Sequence, residues 1–180
     1  PSPSLRLDAY TDFAYFAWAR YQVSQSSNNW DHLLQGTWQH RRWTLDARYR
    51  LRLKQKDNAD KTALDSHPEH RLRLGLSYAG EGGFGTHTQI DGGYYAYGEK
   101  EWGMMISQSL SYEGRWLRLN GGVGYFHTDS YDSRVYLYEK GPLYTYGLAS
   151  FYGEGIRYWL MARAAIGQKL TLTAKIGVTY

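Results

Sequence analysis

The chain has 180 residues, a formal charge of +4, 18 Tyr, 7 Trp and no cysteine. The missing cysteines exclude a disulfide framework, a thiolate metal site and a cysteine nucleophile. No segment approaches the roughly 20 apolar residues of a membrane helix, and the mean hydropathy is −0.63.

The chain opens PSPSLRLD, with neither Met nor signal segment, as a mature or truncated chain would. Apolar and polar residues alternate weakly from Leu5 to about Val23 and from His32 to His40, around the polar link SQSSNNWD (24–31). The pattern is strongest in RRWTLDARYRLRLKQ (41–55). Trp43, Leu45, Ala47, Tyr49, Leu51 and Leu53 fall on one face, with Arg42, Thr44, Asp46, Arg48, Arg50, Arg52 and Lys54 opposite. A period of two puts successive side chains on opposite faces of a strand, and a helix would scatter them. A long polar link, KDNADKTALDSHPEH (56–70), comes next. Leu72, Leu74, Leu76 and Tyr78 then oppose Arg71, Arg73, Gly75 and Ser77.

The turn AGEGGFG (79–85) leads to a weaker strand from Phe84 to Tyr97. Trp102, Met104, Ile106, Leu110 and Tyr112 share the next apolar face, and EGR (113–115) turns the chain into Leu117, Leu119, Val123 and Tyr125. After HTDSYDS (127–133), VYLYE and LYTYGLAS count as two strands or one bent strand, for a total of about eleven or ten. Two more strands, 156–166 and 170–180, are joined by GQK (167–169).

Such a chain builds either a soluble antiparallel sheet or a transmembrane barrel with lipid outside and water within. Three features favour the barrel. The strands run to about 10 residues, enough to cross a bilayer at a tilt, about twice the soluble average. Short and long links roughly alternate, as periplasmic turns and extracellular loops do. The apolar faces end in aromatics. Trp43, Tyr78 and Tyr112 fall at the periplasmic interface, Trp102 and Tyr125 at the outer one, and Tyr180 at the end of the last strand. The expectation is one all-β domain over 1–180, an antiparallel transmembrane barrel of about 10–12 strands. It would lie in the outer membrane of a Gram-negative cell.

The stretch YDSRVYLYEKGPLYTYGLASFYGEGIRYWLMAR (131–163) resembles a recurrent segment of Bacteroidota helix-hairpin-helix proteins; YTDFAYFAWARYQVSQSS (10–27) and KQKDN (54–58) are similar too. In that family a DNA-uptake-type helix-hairpin-helix module precedes a large β-barrel. The resemblance implies a barrel that continues past the equivalent of Tyr180 to a closing strand, so that this one is incomplete at its C-terminal end. It implies no catalytic residue. The helix-hairpin-helix itself is absent from this sequence, and no residue here inherits its link to nucleic acid.

The densest basic patch is Arg48, Arg50, Arg52, Arg71 and Arg73, facing the lumen on adjacent strands. It would attract anions, lipopolysaccharide phosphates or a nucleic-acid backbone, or brace the barrel by pairing with Asp46, Asp8, Asp12 and Asp91. Bracing is the favoured reading. Asp65, His67, Glu69 and His70 have metal-ligating side chains, but in a Pro-containing loop they read as solvated, so neither metal nor cofactor is expected. GEGGFG (80–85) has no helix after it to bind phosphate and reads as a turn. His127, Asp129, Ser130 and Asp132 cluster at one rim, and His87 lies near Gln89 and Asp91, which is the raw material of a hydrolase and also what six His and many Ser give by chance.

The leading functional expectation is therefore a non-enzymatic barrel, a structural or accessory subunit of an envelope assembly. Its partners would be outer-membrane lipid, lipopolysaccharide and other envelope proteins. The alternatives are a pore or uptake channel, linked to DNA through the family, and a rim lipid hydrolase.

Overall fold

In the computed structural model, which describes residues 3–96, 100–142, 145, 148–167 and 169–180, the chain is all-β. Nine strands form one antiparallel sheet: β1 (Ser4–Phe16), β2 (Ser27–His40), β3 (Trp43–Asp57), β4 (Leu64–Ala79), β5 (Phe84–Ala96), β6 (Lys100–Glu113), β7 (Leu117–Thr128), β10 (Glu154–Ile166) and β11 (Leu170–Thr179). Two short strands, β8 (Val135–Tyr138) and β9 (Leu148–Phe151), pair only with each other. Each long strand pairs with its neighbour along the chain except where β7 passes to β10 across that hairpin. Among the described residues β1 and β11 form the two ends of the sheet, and no ladder joins them. The antiparallel all-β sheet matches the sequence; a closed ring of strands is not seen.

Several boundaries differ from the expectation. The segments read as VYLYE and LYTYGLAS form an inner hairpin instead of joining the sheet; Leu143, Tyr144, Tyr146 and Gly147 of the second lie outside the described residues. So do Tyr97, at the expected end of β5, and Gln168 of the last turn. β1 stops at Phe16, well before Val23. The long links shrink: β2 already begins at Ser27, and β3 and β4 extend to Asp57 and Leu64. Pro68 disguised this part of β4, because proline cannot donate to a ladder. It is tolerated because the ladder between β4 and β5 ends at Glu69 opposite Tyr95 and leaves that side of Pro68 unpaired.

The links at one end are all brief, 41–42, 80–83, 114–116 and 167–169. The opposite end carries 17–26, 58–63, 97–99 and the excursion 129–153 that contains the hairpin. Register aligns the faces across the sheet. Leu7, Gly36, Ala47, Leu74, Ile90, Ile106, Tyr125, Ile156 and Tyr180 form one row on the outer face. That face is uncovered: Leu7 is 68% exposed, Leu110 64% and Ile176 63%. The chain exposes 12200 Å², against about 8,900 Å² expected of a compact globular chain of its mass. An apolar run from Trp43 to Leu53 spans roughly 33 Å along the strand, or about 25 Å of height at a tilt near 40°.

The opposite face holds what core there is. Val135, Leu137 and Phe151 of the hairpin pack on Met105 of β6, Phe126 of β7 and Trp159 of β10. Glu139, just after β8, is 2% exposed and accepts hydrogen bonds from Arg157 Nε (2.7 Å) and Nη2 (3.1 Å), with Lys175 Nζ at 2.8 Å. On the hairpin's other side the Arg71 guanidinium of β4 lies 5.2 Å from the Tyr136 ring. The hairpin thus touches β4 and β11 at once, so the sheet curls around it.

Gly103 of β6 is where the excursion crosses closest. A Cβ there would collide with the backbone oxygen of the fully buried Ser133. Gly103→Ala is expected to cost about 1–3 kcal/mol, as overpacking does. Hydrogen exchange should locate the loosening in 129–139 and leave β1–β4 protected; uniform loosening would refute this seating role.

Candidate functional site

The basic patch is built by register. Alternation sends Arg48, Arg50 and Arg52 of β3 and Arg71 and Arg73 of β4 to the polar face, where Arg48 lies opposite Arg73 and Arg50 opposite Arg71. Like charges directly across a ladder repel. Three carboxylates offset most of that repulsion. Asp31 on β2 accepts from Arg50, through Nε at 2.8 Å and through Nη2, and from Arg52 Nε at 3.3 Å. Glu69 accepts from Arg71 Nε at 2.5 Å and Lys54 Nζ at 2.9 Å, with Arg52 Nη1 at 3.8 Å. Asp91 accepts from Arg73 Nε at 2.6 Å. Arg71 also donates to the Tyr95 hydroxyl. Arg48 has no hydrogen-bonding or ionic partner among the described residues.

Of the four expected counter-ions, Asp91 pairs with the patch and the other three do not among the described residues. Asp8 is bound by its neighbour Arg6, Asp46 lies against the bare Cα of Gly75, and Asp12 forms no ion pair among the described residues. Asp31 and Glu69 carry the load instead. A strand pattern followed back through Pro68 finds the second, since Glu69, Arg71 and Arg73 share one face.

The five arginines, with Lys54, Glu69 and Asp91, line a cavity of about 1380 Å³ between the polar face of β3–β5, the root of the hairpin and the link 17–26. The link is tied down by Ser24, whose N–H and hydroxyl both donate to Asp57, at 2.8 Å each. The lining carries ten Arg and Lys against five Asp and Glu. On β3, β4 and β5 it reaches no nearer the brief-link end than Arg48, Arg73 and Asp91.

The expected girdle residues lie on the exposed face. Trp43 packs on Tyr78 with ring centres 4.6 Å apart, and Tyr112 on Phe84 at 4.9 Å, all at the brief-link end. Trp102 meets His127 at 5.2 Å, and Tyr125 donates to Glu154 at 2.9 Å, both toward the other end. Tyr180 lies 6.4 Å from Tyr158.

The other candidates do not assemble. Glu69 is buried among cations, while His70 sits on the outer face with its Nδ1 2.7 Å from the Tyr49 hydroxyl. No metal-binding group of side chains occurs among the described residues. Ser130 donates to Glu101, and the nitrogens of His127 face Asp129 (3.7 Å) and Glu154 (3.9 Å), so serine and histidine are not joined. His87 bridges Ser77 (2.8 Å) and Gln89 (3.3 Å), and Gln89 donates to Asp91. GEGGFG forms a 3₁₀ turn, Glu81–Gly83, with Gly82 and Gly83 at positive φ. Compared with family models, curated proteins and solved structures, the chain matches none.

Proposed function

We propose that the nine long strands are staves of an outer-membrane β-barrel with a blocked interior, a non-enzymatic structural or accessory subunit of an envelope assembly. The observation that carries this reading is the aligned, uncovered apolar face, about 25 Å tall with aromatic rings toward both ends. Monomeric soluble proteins rarely expose a patch above a few hundred square ångströms. The resemblance of 131–163 to the barrel region of Bacteroidota helix-hairpin-helix proteins points the same way. The hairpin supports a blocked interior, since its apolar side is buried against β6, β7 and β10 and its Glu139 is held by two cations. A channel reading draws on the basic cavity, yet the lining ends at mid-strand.

Sidedness and conductance test this together. Cysteine at Asp60, in the 58–63 link, should react with an impermeant maleimide on intact cells, and cysteine at Gly114 should not. Purified protein in planar bilayers should show no stable conductance. Labelling at Gly114 alone would invert the topology, and steady anion-selective steps would replace the structural role with a channel.

A further inference from the structure

We infer that the cavity beside β3 and β4 binds a soluble oligophosphate, with Arg48 as its deepest contact. The paired arginines are not the evidence. Asp31, Glu69 and Asp91 are already taken up by Arg50, Arg52, Lys54, Arg71 and Arg73. What stands out is the remaining set of cations around the same space. Arg48 has no partner among the described residues, and Lys56 and Lys61 form no ion pair there. Arg134 donates only to neutral oxygens, on Tyr136 (2.7 Å) and Tyr131 (2.9 Å). Arg20 donates to Ser27 and Asn29 at 3.2 Å each, while its Nε is buried with no acceptor.

Charge-assisted bonds to phosphate are among the strongest a guanidinium makes, and Arg48 has its whole donor set free for them among the described residues. The acids left in the lining are Asp57, Glu101 and Asp132; the first two accept from serines and none forms an ion pair with an Arg or Lys, though Asp57 also feels the charge of Lys61. The cations without a carboxylate partner come from β3, the 58–63 link, the 17–26 link and the hairpin root, so they converge from several sides, Arg20 stacking on Phe16 and Arg134 on Tyr131. That geometry fits a ligand with several negative groups better than one carboxylate. The space holds a few phosphates with their water but ends at mid-strand, which suits a short chain and not a threading polymer. The lining also holds Val23, Leu72, Val135 and Leu148, so the cations set the ligand class, and the glycolipid arm of the test below separates a free oligophosphate from a lipid headgroup. The inference does not depend on lipid contact at the outer face.

Tripolyphosphate titrated calorimetrically into the purified full chain at low salt should bind at one saturable site. Arg48→Ala should weaken it at least about tenfold, the equivalent of one charge-assisted contact. Arg48→Lys should recover part of the loss, and Arg6→Ala, at a distant exposed pair, should change nothing. Because Arg48 holds no other residue and faces Arg73 across the ladder, its removal should leave the unfolding midpoint in place or raise it, which separates lost binding from lost fold. Absence of saturable binding, or equal affinity in Arg48→Ala, would overturn the inference. Displacement by a single-stranded oligonucleotide at far lower concentration would assign the cavity to nucleic acid instead. Displacement by a diphosphorylated glycolipid in micelles, with tripolyphosphate weak, would assign it to a membrane headgroup.

Discussion

Leu74→Arg is expected to cost about 2–4 kcal/mol in a lipid-embedded unfolding measurement, the penalty for a cation near the midplane of a barrel's lipid face. Leu74 lies midway along β4 between Tyr78 and His70 and is flanked in register by Ala47 and Ile90 on the uncovered face. Its neighbours on that face, Ala47, Ile90, Leu72 and Leu76, are all apolar, so in lipid a guanidinium there must reach the headgroups or draw water inward. Thr44→Arg, on the polar face opposite Ser77, should cost much less, because it meets water and hydroxyls. In detergent-free buffer the order would change. If the outer face met water, Leu74→Arg would be nearly neutral or would improve solubility. Equal costs in lipid at both positions would therefore end the membrane assignment.

The second large effect is expected at Glu139. Breaking a buried ion pair from one side costs about 3–5 kcal/mol, since the partner charges stay behind without compensation. Arg157 and Lys175 keep some access to water, so Glu139→Ala should fall near the lower end, about 3 kcal/mol. Burial pushes the Glu139 carboxyl up, but hydrogen bonds from Arg157 and Lys175 outweigh it and hold the group below the ordinary glutamate value. A depressed folded value makes the contribution complete above the unfolded value and removes it as pH falls through the folded one. The wild-type hairpin should thus be protected from protease at neutral pH and become susceptible within 129–153 on strong acidification. Glu139→Ala should be susceptible at every pH. Should release of the hairpin also bring a conductance that the wild type lacks, the blocked interior is its work. An unchanged cleavage pattern in Glu139→Ala would show that the apolar contacts of Phe151 and Val135 suffice.

The long strands were legible because their two faces meet different surroundings, so a period of two survives in nearly every one. From Trp43 to Leu53 no residue breaks it. The hairpin was misread for the same reason. Val135 and Leu137 alternate with Tyr136 and Tyr138 as a stave's residues would, but here the apolar side is buried within. Its four-residue length was the usable signal, too short to cross a bilayer. The counter-ions were obscured by local chemistry. Asp31 closes the polar stretch 24–31, and Glu69 stands next to Pro68, so both read as link residues until the pairing of β2 with β3 and β3 with β4 is known. Arg48 looked like its neighbours in sequence; only the geometry separates it from Arg50 and Arg73.

The count of long strands sets a rule of parity. In an unbroken antiparallel run, the first and ninth strands point the same way, so both free edges of this sheet, β1 and β11, are oriented alike. Neither can zip antiparallel to the other. A second copy inserted in the same sense brings only edges of that same direction, so self-association cannot supply the opposite one. One strand running downward where these two run upward satisfies both edges at once. In the barrel proposed above, one such strand, from this polypeptide or another, would turn the odd sheet into an even ring.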